Sequence, residues 1–210
     1  MPFLGVPPAK APRAIIFDVG RVIIRVDLSQ WTGALGGTSR RSHLEILRDL
    51  EADPRWQDWQ EGRMNAGDWH KLVCEKFQLP LNFEQFSAAW NSVLDPVAIL
   101  PDIFFERLAK KYRIALLSNT DPIHLAHFET TFPFVRHFPA RIYSCRVGSS
   151  KPAPQIYHHA LREVDALPED AVFIDDLREN VVAAAGLGMI GFHFTSAEDL
   201  LAEFARMGLG

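Results

Sequence analysis

Five short apolar runs constrain this chain more than any other feature: AIIFD (14–18), IALLSN (114–119), RIYSC (141–145), AVFIDD (171–176) and IGFHF (190–194). Most are continuously apolar rather than alternating, which is the pattern of parallel strands covered on both faces. Helical stripes separate them. Phe104, Leu108 and Tyr112 share a face before the second run. Leu125, Phe128 and Phe132 do so after it, behind Asp121 and Pro122, which suit a cap and a first helical position. Ile156, Tyr157, Ala160, Leu161 and Val164 mark a helix opened by Pro154, and an Ala-rich helix after Asp176 stops near Gly186 and Gly188. Strand and helix in alternation predict an α/β fold, a doubly wound parallel sheet of the Rossmann-like kind.

The stretch 28–100 breaks that alternation. It shows no convincing strand, holds all five tryptophans and carries helical stripes such as Trp69, Leu72, Val73 and Phe77, or Phe83, Phe86, Trp90 and Leu94 behind a cap at Asn82. It reads as a small α-helical cap inserted into a core made of residues 13–27 and 101–210, and the tryptophan spacing reads as core packing rather than a cofactor or partner face. The Pro-rich residues 1–12 read as a flexible N-terminal tail.

Composition narrows the partners. Lys plus Arg is 22 against 26 Asp plus Glu, a formal charge of −4, which argues against nucleic acid and anionic membrane surfaces. No apolar run approaches the ~20 residues of a membrane span. Cys74 and Cys145 lack metal or redox spacing and read as free thiols of a reducing compartment. A cytoplasmic protein, monomer or homodimer, is the expectation. The eight histidines form no metal-binding arrangement, and His124 is the best placed of them because it follows the second run closely.

In an open parallel sheet, ligands bind outside the carboxyl ends of the strands. The polar residues that end the runs are Asp18, then Ser118 and Asn119, then Asp175 and Asp176, while GSSKPAP places Lys151 in a loop just before a helix. Two unit charges at about 4 Å repel by ~4 kcal/mol at an effective dielectric of 20, so three gathered acids require positive charge. Lys151 supplies one unit and a divalent cation two more. An all-oxygen donor set favours Mg²⁺ over zinc. Neighbouring side chains on a strand point to opposite faces, so Asp176 is expected as the direct ligand and Asp175 as its support. The chemistry that fits is phosphoryl transfer to Asp18, with Ser118, Asn119 and Lys151 on the phosphate of a small phosphorylated substrate.

These motifs resemble those of the haloacid dehalogenase-like hydrolase superfamily, most of whose members are phosphatases. FDVGRV resembles its first motif, LLSNT its second, KPAPQIY its lysine motif and FIDDLRENVVAAAGLGM its acidic fourth motif. The order is the expected one, and the helical insertion falls where the phosphoglycolate phosphatase-like and glucose-1-phosphatase-like branches carry their cap. The resemblance implies Asp18 as nucleophile, the Gly20 carbonyl as a Mg²⁺ ligand beside Asp18 and Asp176, and Ser118, Asn119 and Lys151 as phosphate binders.

One position departs from the pattern. Family phosphatases usually carry a second Asp two residues after the nucleophile, where this chain has Gly20. Losing a general acid–base typically costs ~10²–10⁴-fold in rate. A branch resembling sugar-1-phosphate phosphatases shares this glycine, which is the sole basis for expecting a sugar phosphate. Arg21 departs even from that branch and reads equally as a substrate contact or a solvent-facing residue. Asp27 reads as a hinge-turn residue before a surrogate acid. Two other functions stay open at the level of sequence: a 2-haloacid dehalogenase, and a non-catalytic phosphometabolite binder that kept the fold.

Overall fold

The computed structural model describes residues 3–4, 11–36 and 41–209. Its centre is a six-stranded sheet of β1 (Phe3–Leu4), β2 (Ala14–Phe17), β5 (Arg113–Ser118), β6 (Ala140–Tyr143), β7 (Ala171–Asp175) and β8 (Ile190–His193), in the order β1-β8-β7-β2-β5-β6. Five strands run parallel; β1 adds to the edge antiparallel, Phe3 opposite Phe192 and Leu4 opposite Gly191. That pairing corrects the expectation of a loose tail at residues 3 and 4, while residues 1–2 and 5–10 of the tail lie outside the described residues.

Period-two alternation in the buried strands feeds two apolar layers. Ile15, Phe17, Ile114, Leu116, Val172 and Ile174 face one side of the sheet, where Phe104, Phe105, Phe128, Phe138 and Phe204 fill the layer. Ala14, Ile16, Ala115, Leu117, Ala171 and Phe173 face the other, against Ile156, Tyr157, Ala160 and Ala184. Helices on both faces come from α6 (Asp102–Ala109), α7 (Pro122–Thr131), α9 (Pro154–Glu163), α10 (Arg178–Gly186) and α11 (Ala197–Arg206). The chain builds outward from β2 through β5 to β6, then returns to β7 on the opposite side of β2. That reversal opens a crevice at the carboxyl ends of the central strands.

Between β3 (Ile24–Val26) and β4 (Leu94–Ala98) lie α1 (Gln30–Ala34), α2 (His43–Glu51), α3 (Trp56–Gln60), α4 (Ala66–Phe77) and α5 (Phe83–Asn91). Capping side chains start the longer ones: Ser42 and Glu45 form a reciprocal pair on α2, Asn82 and Gln85 on α5, and Asn65 accepts from the Asp68 N–H on α4. These helices have an apolar cluster of their own, centred on Trp31, Trp59, Trp69, Phe86 and Trp90, with Trp59 and Trp69 stacked at 5.2 Å. Residue Ile123 of α7 belongs to the same cluster.

Two readings of the sequence need correction here. The stretch 28–100 does contain a strand, β4, which pairs antiparallel with β3 in a ribbon where the chain leaves and re-enters the sheet domain. The run 141–145 is strand only to Tyr143; Ser144–Val147 turns into a short helix, α8. The helical segment touches the core backbone on backbone at Gly62, whose φ of +71° and closeness to the Cys145 carbonyl, 2.0 Å from where a Cβ would sit, leave no room for a side chain. No helix among the described residues is long and apolar enough to cross a membrane.

Candidate active site

Strands β7, β2 and β5 lie side by side, and the residues that end them meet at the crevice. Asp18 follows β2 directly, its N–H donating to the Ile174 carbonyl of β7 at 2.8 Å, so the ladder itself fixes it. Asp175 ends β7 and is fully buried, Asp176 follows it half-buried, and Ser118 ends β5. Lys151 comes in from the loop between α8 and α9, and its Nζ donates to Asp18 Oδ1 at 2.6 Å and to Asp175 Oδ2 at 2.7 Å. One carboxylate oxygen from each of Asp18, Asp175 and Asp176 lies within 4.8 Å of the others.

The charges do not balance. Three acids face one buried lysine, with Arg21 reaching Asp176 Oδ2 at only 3.8 Å and half-exposed. Burial, opposed by Lys151 and reinforced by Asp175, pushes the Asp18 carboxyl above its usual range. Burial and then Asp175 raise Asp176 as well, against Arg21 and Lys151. Burial pulls Lys151 down, yet Asp18 and Asp175 outweigh it and hold the ammonium above its ordinary value. A buried lysine kept charged beside acids that resist ionising is a site short of positive charge, and a hard divalent cation fits an all-carboxylate donor set.

The acids differ in what they already hold. Asp175 Oδ1 accepts from the Leu177 N–H at 2.8 Å and from Asn180 Nδ2 at 3.1 Å, and Oδ2 accepts from Asn180 as well as Lys151. Both its oxygens are engaged. Asp176 borders the cleft instead, with Arg21 as its ionic neighbour.

The remaining sequence candidates take distinct places. The Asn119 side chain exchanges two hydrogen bonds with the Lys151 backbone, Nδ2 to the carbonyl at 2.9 Å and the Lys151 N–H to Oδ1 at 2.8 Å. It clamps the lysine loop while also bordering the cleft. Ser118 and Gly20 border the cleft. Gly20 has no positive φ, and a Cβ there would meet only ordinary contact, Val26 Cγ2 at 3.4 Å, so backbone geometry does not dictate glycine. Arg21 sits in the left-handed region at φ 61°, a cost a bulky residue bears in a tight turn. Asp27 accepts from Ser29 N–H, Ser29 Oγ and Gln30 Nε2, the pattern of a turn residue, and does not border the cleft among the described residues.

Sequence reasoning missed three contributors. Asn180 braces Asp175 from the first turn of α10, a partner that its spacing of five from Asp175 could have signalled. Ser144 donates to the Gln60 carbonyl at 2.7 Å, and Glu61 accepts from the Ser150 N–H at 3.1 Å, so the helical segment props the lysine loop. The third is a buried ionic group. Asp121 caps α7 through the N–H groups of Ile123 and His124, and its Oδ2 takes the Trp90 indole N–H at 3.0 Å and lies 2.6 Å from His124 Nδ1. The other ring nitrogen of His124 meets the Trp90 carbonyl at 3.1 Å. Both neighbours are pure acceptors, so both ring nitrogens donate, which is an imidazolium.

Burial lowers the His124 pKa, but Asp121 and the Trp90 carbonyl raise it further, leaving it above its ordinary value. A raised folded-state pKa contributes stability that is complete below the unfolded value of about 6.5 and vanishes as pH rises through the folded one. Each unit of elevation is worth ~1.4 kcal/mol. Urea midpoints measured from pH 6 upward are therefore expected to decline more in the native chain than in His124→Gln. Parallel profiles would refute the charged pair.

The profile of the haloacid dehalogenase-like hydrolases matches residues 12–188. The chain is 35% identical to flavin mononucleotide hydrolase 1 of Arabidopsis thaliana, over 93% of this chain and 77% of that protein. It is 25% identical to the D-ribitol-5-phosphate phosphatase of Bacteroides thetaiotaomicron, over 88% and 93% of the two chains. A crystal structure of a Bacteroides thetaiotaomicron enzyme of this family, in complex with magnesium and inorganic phosphate, has a TM-score of 0.76 at 24% identity, covering 90% of this chain and 97% of that one. The matched family is one of hydrolases, and the match spans most of the chain. The chain belongs to the haloacid dehalogenase-like hydrolase family.

Proposed function

We propose that the chain is a Mg²⁺-dependent phosphomonoesterase acting on a small phosphorylated metabolite through an aspartyl-phosphate. The observation that carries this reading is one lysine shared by Asp18 and Asp175, with Asp176 close enough to complete a cation site. Asp18, Asp176 and the Gly20 carbonyl would hold the ion, and Asp175 would support it. When bound, the ion supplies positive charge that offsets the acids and polarises the phosphoryl oxygens. A dehalogenase site needs no such ion, and two further acids beside the nucleophile would only oppose it.

The chain's own groups do the rest. Lys151 fixes Asp18 through Oδ1, leaving the second oxygen to attack phosphorus as the ester oxygen departs in line. Ser118 and Lys151 offer donors to the phosphoryl oxygens, while Asn119 contributes by holding the lysine loop. Arg21 balances Asp176 at the cleft mouth. Water then attacks phosphorus and frees Asp18. With glycine at 20, the departing oxygen takes its proton from water, and turnover is expected to be slow by ~10²–10⁴-fold against an enzyme with an acid there.

Residues 28–100 serve as the cap over the core of residues 13–27 and 101–210, walling the cleft above the carboxylates. Relatives named for ribitol 5-phosphate and for flavin mononucleotide support a phosphate monoester as the common substrate chemistry. A cytoplasmic monomer or homodimer belongs to the same reading, supported by the unpaired thiols of Cys74 and Cys145.

Phosphate release from a panel of monoesters tests it. Chelation is expected to lower the rate ~100-fold or more, and added Mg²⁺ to restore it. Activity indifferent to chelator overturns the metal. Halide release from 2-chloropropionate establishes the dehalogenase instead, and saturable binding of phosphate analogues without turnover establishes the binder.

A further inference from the structure

We infer that the cleft selects phosphate monoesters whose organic part is an apolar body, an aromatic ring or hydrocarbon, over those of polyols. This specifies the substrate class of the phosphomonoesterase proposed above and rests on that reading. Above the carboxylates the site widens into a cleft of about 330 Å³ between the sheet edge and the inserted helices. Leu28, Leu47 and Trp56 border it half-buried, with side chain still available to an occupant, and Trp31, Trp90 and Phe128 back them.

The decisive feature is where the polar atoms of this wall are spent. The Trp31 indole N–H donates to the Trp90 carbonyl at 3.2 Å, and the Trp90 indole N–H donates to Asp121. His124 uses one ring nitrogen on Asp121 and the other on that same Trp90 carbonyl. Asn119, nearer the phosphate end, commits its carbonyl oxygen and one N–H to the Lys151 backbone. The two indoles and the imidazole that could read a hydroxyl are thus consumed by one another and by Asp121, and their apolar surfaces are what an occupant meets.

A polyol carries a hydroxyl on nearly every carbon, and each one leaving water needs a new partner. Glu51 and Gln60 from the helical side and Arg21 and Thr120 from the sheet side are the polar groups left on the cleft, too scattered to pair with a string of hydroxyls. An apolar body needs no partner, loses nothing by meeting such a wall and gains by leaving water. The carboxylate-and-lysine end then orients it through the phosphate, the one strongly polar group it carries.

The test compares 2-(1-naphthyl)ethyl phosphate with ribose 5-phosphate, both esters of primary alcohols, so leaving-group chemistry is matched. In the Mg²⁺-loaded native chain, kcat/KM is expected to favour the naphthyl ester by ~100-fold. Leu47→Ser is expected to lower it ~10-fold for the naphthyl ester and to leave ethyl phosphate, too short to reach the wall, unchanged. Trp56→Ser serves as a second wall variant should Leu47→Ser fold poorly. Equal or better use of ribose 5-phosphate, or wall variants that lower both esters alike, overturns the substrate class while the phosphomonoesterase stands. If no ester is hydrolysed, the phosphomonoesterase fails. Dissociation constants of the two esters for Asp18→Asn then decide the cleft separately: a tighter naphthyl ester upholds the preference, and equal or tighter ribose 5-phosphate rejects it.

Discussion

Asp18→Asn is expected to lower phosphate release by ~10⁴-fold or more while the chain stays folded. The amide is nearly isosteric, and its oxygen still accepts from Lys151, which keeps Asp175 as its ionic partner. What vanishes is the negative oxygen to which the proposed mechanism assigns the attack on phosphorus. Stability moves the other way from activity. Asp18 is buried beside two further acids, and burial holds its carboxyl above the usual range, so removing its charge relieves repulsion. A thermal midpoint equal to or above that of the native chain is the expected companion result. Residual activity near the native level would place the nucleophile elsewhere.

Lys151→Met should abolish activity and also destabilise, and the second effect is the more informative. The lysine is buried with both its acidic partners, so its loss strands two carboxylates without a cation. Breaking a buried pair in this way costs about 3–5 kcal/mol. In a chain of this length that corresponds to a fall of roughly 10 °C in thermal midpoint. Adding Asp175→Asn to the same chain removes one stranded charge and should return part of the loss, a coupling of about 0.5–3 kcal/mol. Additive losses in the double variant would mean that the two residues do not share an ionic bond. Mg²⁺ must be held constant across the series, because an ion bound only to the folded state shifts every midpoint.

The site was more legible in the sequence than its supports were. Asp18, Ser118, Asp175 and Asp176 each end a recognisable apolar run, and the rule that ligands bind at strand carboxyl ends brings them together with no knowledge of distances. Lys151 followed from the same reasoning through its loop. Asn119 has a further task that was not foreseen, clamping the lysine loop, because nothing local shows that its amide matches the backbone of a residue 32 positions away. The Trp90–Asp121–His124 group is likewise long-range: Asp121 reads as a helix cap, which it is, and gives no sign of the indole it also receives.

Boundaries failed for local reasons. β4 is LDPVA, where a central aspartate and proline argue for a loop and only the pairing with β3 makes a strand. Beyond Tyr143 no Gly or Pro separates strand from helix until Gly148, so the run was read two residues too far. β1 has two residues, too few for any periodicity to exist.

The Asp121 carboxylate bears on modularity. Inserted segments of this kind look like exchangeable parts, joined to their host through a two-stranded ribbon. Here Trp90 of the insert gives its indole N–H and its carbonyl to groups of the host, and Ile123 of the host completes the insert's apolar cluster. A graft cut at the ribbon would take Trp90 away from a buried carboxylate and imidazole, leaving each short of one hydrogen bond. Recombination between relatives must therefore carry these side chains together, or the chimaera begins life with a fault at its seam.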